Sequence, residues 1–239
     1  MTRMGVFIGS APLEIDGLGP CAGVETPWGR ASCAPLLLKD REHELVLLPR
    51  HGAEHEFAPH QINYRANVWL MHQLGVDHLV GSYTVGSVDP ELAVGQLVVP
   101  HQLIDYTWGR DSTYDDELRH AEFADPYDAE LIQLLVGADA AVYDGGVYGA
   151  TQGPRLETAA EVVRLARDGC TLVGMTGMPE AILARELELS FAGLCLVVNP
   201  AAGVGDEVID LAAIRAVAEQ GGKQMIALLR RVVAGFSQR

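Results

Sequence analysis

Basic residues are scarce in this chain: 17 Lys and Arg stand against 32 Asp and Glu, a formal net charge of −15 over 239 residues. A surface of that sign repels polyanions and no dense Lys/Arg run interrupts it, which excludes a nucleic-acid partner. An anionic small substrate needs only a few local donors and stays open. Long apolar runs are missing too. No stretch approaches the roughly 18 apolar residues of a membrane helix, and the opening M-T-R-M-G lacks the apolar region of a signal peptide. The expectation is a cytoplasmic protein with no membrane partner. Cysteine is sparse, and Cys21, Cys33, Cys170 and Cys195 show no C-x-x-C spacing. That argues against zinc and disulfides and for reduced thiols. Internal repeats, linkers and low-complexity segments are absent.

What is present is apolar and periodic. A 49% hydrophobic content, with strand-like runs alternating with helical ones, predicts an α/β fold: a single domain over residues 1–239 with a central mixed, bent sheet flanked by helices. Strands are expected at 4–9, 44–49, 77–82, 97–99, 102–106, 141–150, 172–174 and 192–198. Helical spacing covers 59–75, with Ile62, Ala66, Trp69, Leu70 and Leu74 as its apolar stripe, then 128–136, 156–167, 179–187 and 211–233. Residues 108–125 are polar and read as a long surface loop, a length that points to function or an interface.

The stretch 151–199 carries three polar clusters between apolar segments. In an open α/β sheet, residues just past the strand ends gather in one crevice, so Glu157, Met175, Thr176 and Asn199 are expected to share a pocket. Pro179 and Glu180 read as the N1 and N2 positions of a helix. Arg50 and His51 follow a strand directly, where the planar fork of an Arg suits an anion; pairing of Arg50 with one of the many carboxylates fits equally well. The turn after the first strand, Gly9-Ser10-Ala11-Pro12, is a weak anion loop, since Pro12 removes a donor.

Five motifs occur in order along nearly the whole chain: L-P-R-H-G-x-x-H, P-H-Q-I-N-Y-R-A-N, T-Q-G-P-R-L-E-T, G-M-T-G-M-P-E and V-V-N-P-A-A-G. Together they resemble the purine nucleoside phosphorylase and methylthioadenosine phosphorylase family, and within it the bacterial branch acting on S-methyl-5'-thioinosine. The resemblance implies a homotrimeric pentosyltransferase that splits a purine nucleoside with inorganic phosphate as co-substrate, using no metal and no organic cofactor. It implies a purine-recognising role for Glu157 and a place for Asn199 at N7 and the 6-substituent. An Asn amide donates to a 6-oxo group, whereas an ionised Asp only accepts, so Asn199 favours 6-oxopurines.

The resemblance further implies ribose contacts for Met175 and Thr176, and a phosphate site from Arg50, His51, Ser10, Thr84 and Thr176. Asn199, Glu157 and His51 make up the implied catalytic set. Val208 and Leu211 would suit an apolar 5' substituent, although Leu211 reads equally as a helix-start residue. His120 aligns with a histidine that reaches a neighbouring subunit's pocket. Two loops depart from the family pattern. A hydroxyl position falls on Ala11, with Ser10 adjacent as a substitute, and Tyr83 stands where a small residue belongs, which leaves two readings open: its ring fills part of the anion pocket, or Thr84 replaces the missing hydroxyl. Two function classes follow: an active phosphorylase, of S-methyl-5'-thioinosine or alternatively of methylthioadenosine, inosine or guanosine, or a nucleoside-binding or hydrolytic protein with a degraded phosphate site.

Overall fold

Residues 4–8 and 43–48 are buried without a break. They form two parallel strands with no solvent face, the pattern of a sheet covered on both sides. The computed structural model describes residues 2–10, 15–40, 43–114, 118–205 and 209–236; Ala11, Pro12 and Val208 lie outside them. In chain order the strands are β1 (Arg3–Ile8), β2 (Leu18–Pro20), β3 (Leu36–Asp40), β4 (His43–Pro49), β5 (His78–Ser87), β6 (Leu97–Val99), β7 (Gln102–Asp105), β8 (Tyr143–Asp144), β9 (Val147–Ala150), β10 (Leu172–Gly174) and β11 (Ser190–Pro200). The α-helices are α1 (Tyr64–Gln73), α2 (Ala129–Gly137), α3 (Ala159–Arg167), α4 (Gly177–Glu186) and α5 (Leu211–Gly235).

Among the described residues all eleven strands join one mixed sheet. Its axis is β5. On one edge β5 pairs with β11 in parallel from His78 to Ser87. On the other it pairs with β1, up to Gly81, and then antiparallel with β10, from Gly86 on. Residues 82–85 therefore have no strand partner on that side. The sheet forks there.

Several boundaries differ from the sequence reading, each for a local reason. Strand β5 runs on to Ser87 because β11 keeps pairing with it. Likewise β11 runs to Pro200, with a register shift between Val197 and Asn199, so Asn199 sits at a bulge inside the strand rather than past its end. Strands β2 and β3 are absent from the sequence expectation; they form an antiparallel ribbon that extends the sheet beyond β4. Helix α1 starts at Tyr64 because the Asn63 side chain accepts from Ala66 N, and the preceding Pro59–Gln61 is a separate 3-10 turn. Its buried face is Tyr64, Ala66, Asn67, Val68, Leu70 and Met71; Trp69 is only partly covered. Helix α3 starts at Ala159 rather than 156. Thr158 and Glu161 form a reciprocal capping box there, with Thr158 Oγ1 accepting from Glu161 N and the Glu161 carboxylate accepting from Thr158 N. That stop leaves Glu157 outside the helix. The apolar face expected of α5 packs inward, with Ala218, Met225, Leu228, Leu229 and Val232 buried. No described helix is long and apolar enough to cross a membrane, and all four cysteines are free thiols.

Candidate active site

The unpaired edge of β5 opens into a cleft of about 200 Å³. Each strand end around the fork contributes to it: Gly9 and Ser10 after β1, Arg50 and His51 after β4, Thr84 and Gly86 on β5, Met175 and Thr176 after β10, Asn199 on β11. Leu156, Glu157, Ile209, Leu211 and Ile214 also line it.

Arg50 lines the cleft and is fully buried. Where β1 and β5 diverge, their carbonyls lose strand partners, and buried carbonyls must find others. The guanidinium supplies them: Nη2 donates to Phe7 O at 3.0 Å and Nη1 to Ser82 O at 2.7 Å. Its remaining fork grips Glu180, with Nε to Oε1 at 2.6 Å and Nη2 to Oε2 at 3.1 Å. Glu180 is also fully buried, so it is no solvent-facing N2 residue of a helix. The cause is local: Met178 has extended angles (φ −111°, ψ 136°) inside the first turn of α4, which turns Glu180 inward. The carboxylate partner foreseen as one option for Arg50 is thus real, and Arg50 still lines the cleft.

His51 stands beside it. Its Nδ1 lies 2.8 Å from Phe57 O, so Nδ1 carries the proton and donates, leaving a lone pair on Nε2. Burial and the neighbouring Arg50 charge lower its pKa to about 4, against the pull of the Phe57 carbonyl. The imidazole is neutral at physiological pH.

Elsewhere in the lining, Thr151 Oγ1 donates to Glu157 Oε1 at 2.6 Å. One carboxylate oxygen is held and the other is left to accept from a ligand. Asn199 donates through Nδ2 to Pro200 O at 2.6 Å, which leaves Oδ1 and one N–H. Thr176 is the N-cap of α4, yet its hydroxyl makes no capping bond; the Tyr148 hydroxyl lies 3.4 Å from Thr176 N and 3.3 Å from Gly177 N instead. The Thr176 hydroxyl is thereby spared for the cleft. The wall of Ile209, Leu211 and Ile214 is apolar, and Leu211 is 61% exposed, consistent with a pocket wall rather than core.

Cationic fork, neutral imidazole, hydroxyls, carboxylate and amide thus surround one cleft at a sheet fork. The profile of the phosphorylase superfamily matches residues 3–234. The chain belongs to that superfamily. A probable S-methyl-5'-thioinosine phosphorylase of Pseudomonas syringae pathovar tomato is 44% identical over 98% of this chain and 99% of its own length. The S-methyl-5'-thioadenosine phosphorylase of Mycolicibacterium smegmatis is 47% identical over 84% of this chain and 78% of its own. Among solved structures, the methylthioadenosine phosphorylase of Schistosoma mansoni in complex with adenine superposes with a TM-score of 0.92 at 26% identity, covering 100% of this chain and 93% of that one. The family resemblance, the α/β fold and the enzyme class expected from the sequence, a pentosyltransferase of the purine nucleoside phosphorylase type, are all met.

Of the residues singled out in the sequence, Glu157, Met175, Thr176, Asn199, Arg50, His51, Ser10, Thr84 and Leu211 line this phosphorylase cleft. His120 does not; it is exposed on the 108–125 segment, and within one chain it stays away from the cleft. Val208 and the Ala11 hydroxyl position fall outside the described residues. Tyr83 is a correction. Alternation along β5 sends Thr84 to the cleft and Tyr83 to the opposite side, where its ring is 2% exposed. It fills no part of the anion pocket. The sequence reading missed Ile209 and Ile214, although both stand in or beside the V-I-D-L-A-A-I segment, and it missed Thr151 and Glu180, whose partners no local spacing reveals. Among the described residues no group of three or more His, Cys, Asp or Glu side chains is placed to hold a metal ion.

Proposed function

We propose that this phosphorylase cleaves a 6-oxopurine nucleoside, S-methyl-5'-thioinosine foremost, with inorganic phosphate, releasing hypoxanthine and the 5-methylthioribose 1-phosphate. The observation that carries the reading is that Glu157 and Asn199 line the same cleft. A 6-oxopurine bears an N1–H donor and an O6 acceptor; adenine reverses both. The open Glu157 oxygen accepts from N1–H, and the Asn199 amide serves O6 and N7. The relative from Pseudomonas syringae, named for a thioinosine substrate, supports this over the 6-amino alternative, and the apolar Ile209, Leu211 and Ile214 wall suits a methylthio group better than a hydroxyl.

The chemistry follows from the layout. Phosphate oxygen forms a bond to C1' as the C1'–N9 bond breaks and its electron pair passes into the purine. Charge accumulates toward N7 and O6, where the Asn199 amide stabilises it, and the sugar passes through an oxocarbenium-like state between two anions. Arg50, Thr84, Thr176 and Ser10 provide donors for phosphate on the far side of the ribose from the base. Met175 covers the ribose. We read residues 1–239 as one domain, assembled as a homotrimer in the cytoplasm. Trp108 (73% exposed) and His120, both exposed on the 108–125 segment, support a subunit contact through that segment.

The test is product formation from a nucleoside panel at varied phosphate concentration. Phosphate-dependent release of hypoxanthine from methylthioinosine is expected. Release of free base at an equal rate without phosphate would replace this reading with nucleoside hydrolysis.

A further inference from the structure

The Tyr83 ring lies back along β5 over Gly81, where a Cβ would stand 2.0 Å from its hydroxyl. Gly193, in register with Gly81 across β11, completes the slot, since a Cβ there would sit 3.3 Å from Cε2. Two paired glycines thus make room for one phenol. Its hydroxyl donates to Glu180 Oε2 at 2.8 Å, and its ring carries the Arg50 guanidinium 4.9 Å from the centroid. Burial and the adjacent carboxylate push the phenol pKa well above its usual value, so Tyr83 is a donor at every working pH.

The donor count on Arg50 then decides its use. Of five N–H groups, Nε–H and both on Nη2 are taken by Glu180 and Phe7 O, and one on Nη1 by Ser82 O. One Nη1–H remains. Nη1 is the atom packed against Gly9, 2.8 Å from where a Cβ would be, and Gly9 and Arg50 both line the cleft. The absence of a side chain at Gly9 keeps that single donor uncovered.

We infer that Glu180 and Tyr83 are positioning residues for the phosphate site: Glu180 locks the Arg50 fork so that one Nη1–H faces the anion, and Tyr83, by donating to Glu180, moderates how far that carboxylate neutralises the guanidinium. Neither touches phosphate. The inference rests on the phosphorolytic function proposed above. It also reverses the expectation that a small residue at position 83 would restore anion space.

Tyr83→Phe keeps the ring in its slot and deletes only the hydroxyl. It is expected to raise KM for phosphate about fivefold to tenfold, part of what a lost hydrogen bond to a charged group yields, while KM for the nucleoside at saturating phosphate and the melting temperature change little. Glu180→Gln should act in the same direction and more strongly, because the amide turns an N–H toward the Arg50 fork. Tyr83→Asn should raise KM for phosphate as well. Arg50→Lys, which keeps the charge but loses the fork, separates the two levels of the claim. If it shifts KM for phosphate and Tyr83→Phe does not, the inference fails alone. If Arg50→Lys leaves KM for phosphate unchanged, the phosphate-site reading fails and the inference with it. Equal rises in both KM values with a lower melting temperature in Tyr83→Phe would assign Tyr83 to packing only, and a lower phosphate KM in Tyr83→Asn would mean that the ring crowds the anion; either overturns the inference.

Discussion

Asn199 Nδ2 donates to the carbonyl of the very next residue, Pro200, at 2.6 Å. That bond sets which way the amide faces, because the flipped amide would put two oxygens at hydrogen-bond distance. The bulge between Val197 and Asn199 makes it possible by lifting the side chain out of the strand's regular alternation. In the proposed function position 199 therefore has two jobs, holding its own backbone turn and meeting the base.

Asn199→Asp tests both. The carboxylate accepts from a 6-amino group and not from a 6-oxo group, so the ratio of kcat/KM for inosine-type over adenosine-type nucleosides is expected to fall at least about tenfold, the loss of roughly one well-made hydrogen bond. The same change sets an anion against Pro200 O, which costs about 1–3 kcal/mol of stability, read as a lower melting temperature. An unchanged substrate ratio would show that position 199 does not read the base.

Glu157 accepts from Thr151 Oγ1, so its aim depends on a residue outside the proposed base contact. Glu157→Ala should weaken every purine. Thr151→Val should raise nucleoside KM by about threefold to tenfold, the value of a modest hydrogen bond, with phosphate KM unaffected. Steady-state kinetics with each substrate varied in turn checks this; a Thr151→Val enzyme with wild-type nucleoside KM would mean that Glu157 holds its place unaided.

The neutral, buried His51 makes folding pH-dependent in a definite direction. Its pKa is lowered to about 4 in the folded chain, against about 6.5 for an unperturbed imidazole. Between those values the unfolded state binds the extra proton. Stability from this group is therefore complete above pH 6.5 and is lost as pH falls toward 4, by about 3 kcal/mol in all. Denaturant titrations across that window should show the slope, and His51→Gln should lose it. The same slope in His51→Gln would assign it to other groups.

Thr84 and Thr176 line the cleft together with Arg50. Thr84→Val and Thr176→Val keep shape and remove one donor each, so each should raise phosphate KM by roughly one to two decades, the range for a hydrogen bond to an anion. A wild-type phosphate response in either variant would remove that residue from the site.

Assembly has its own test. Sedimentation at micromolar concentration should give three times the 25.7 kDa chain mass; a monomer would sink the trimer and leave the fold untouched. In that case His120, exposed and remote from its own cleft, would have no site to complete.

Much of the site is legible in the amino-acid sequence. Polar residues just past the ends of apolar strands gather in one crevice, so Glu157, Met175, Thr176 and Asn199 group together from local pattern, while the place of Arg50 and His51 beside them comes from the family resemblance. The apolar runs at 4–8 and 44–48, and the face of α5, follow from periodicity, because burial of one face is a property of near neighbours in sequence.

What the tertiary structure alone decided lies in contacts between distant segments. The direction of Tyr83 depends on whether β5 continues past Ser82, and that depends on β11 lying alongside it. Whether Arg50 offers its whole fork or one N–H depends on Glu180, 130 residues further on, and on two carbonyls freed where β1 and β5 part. Residue type announces that a buried arginine will need acceptors and a buried glutamate donors; only the packed sheet determines that they satisfy one another, since the cost of an unpaired buried charge is set by what the fold brings within about 3 Å.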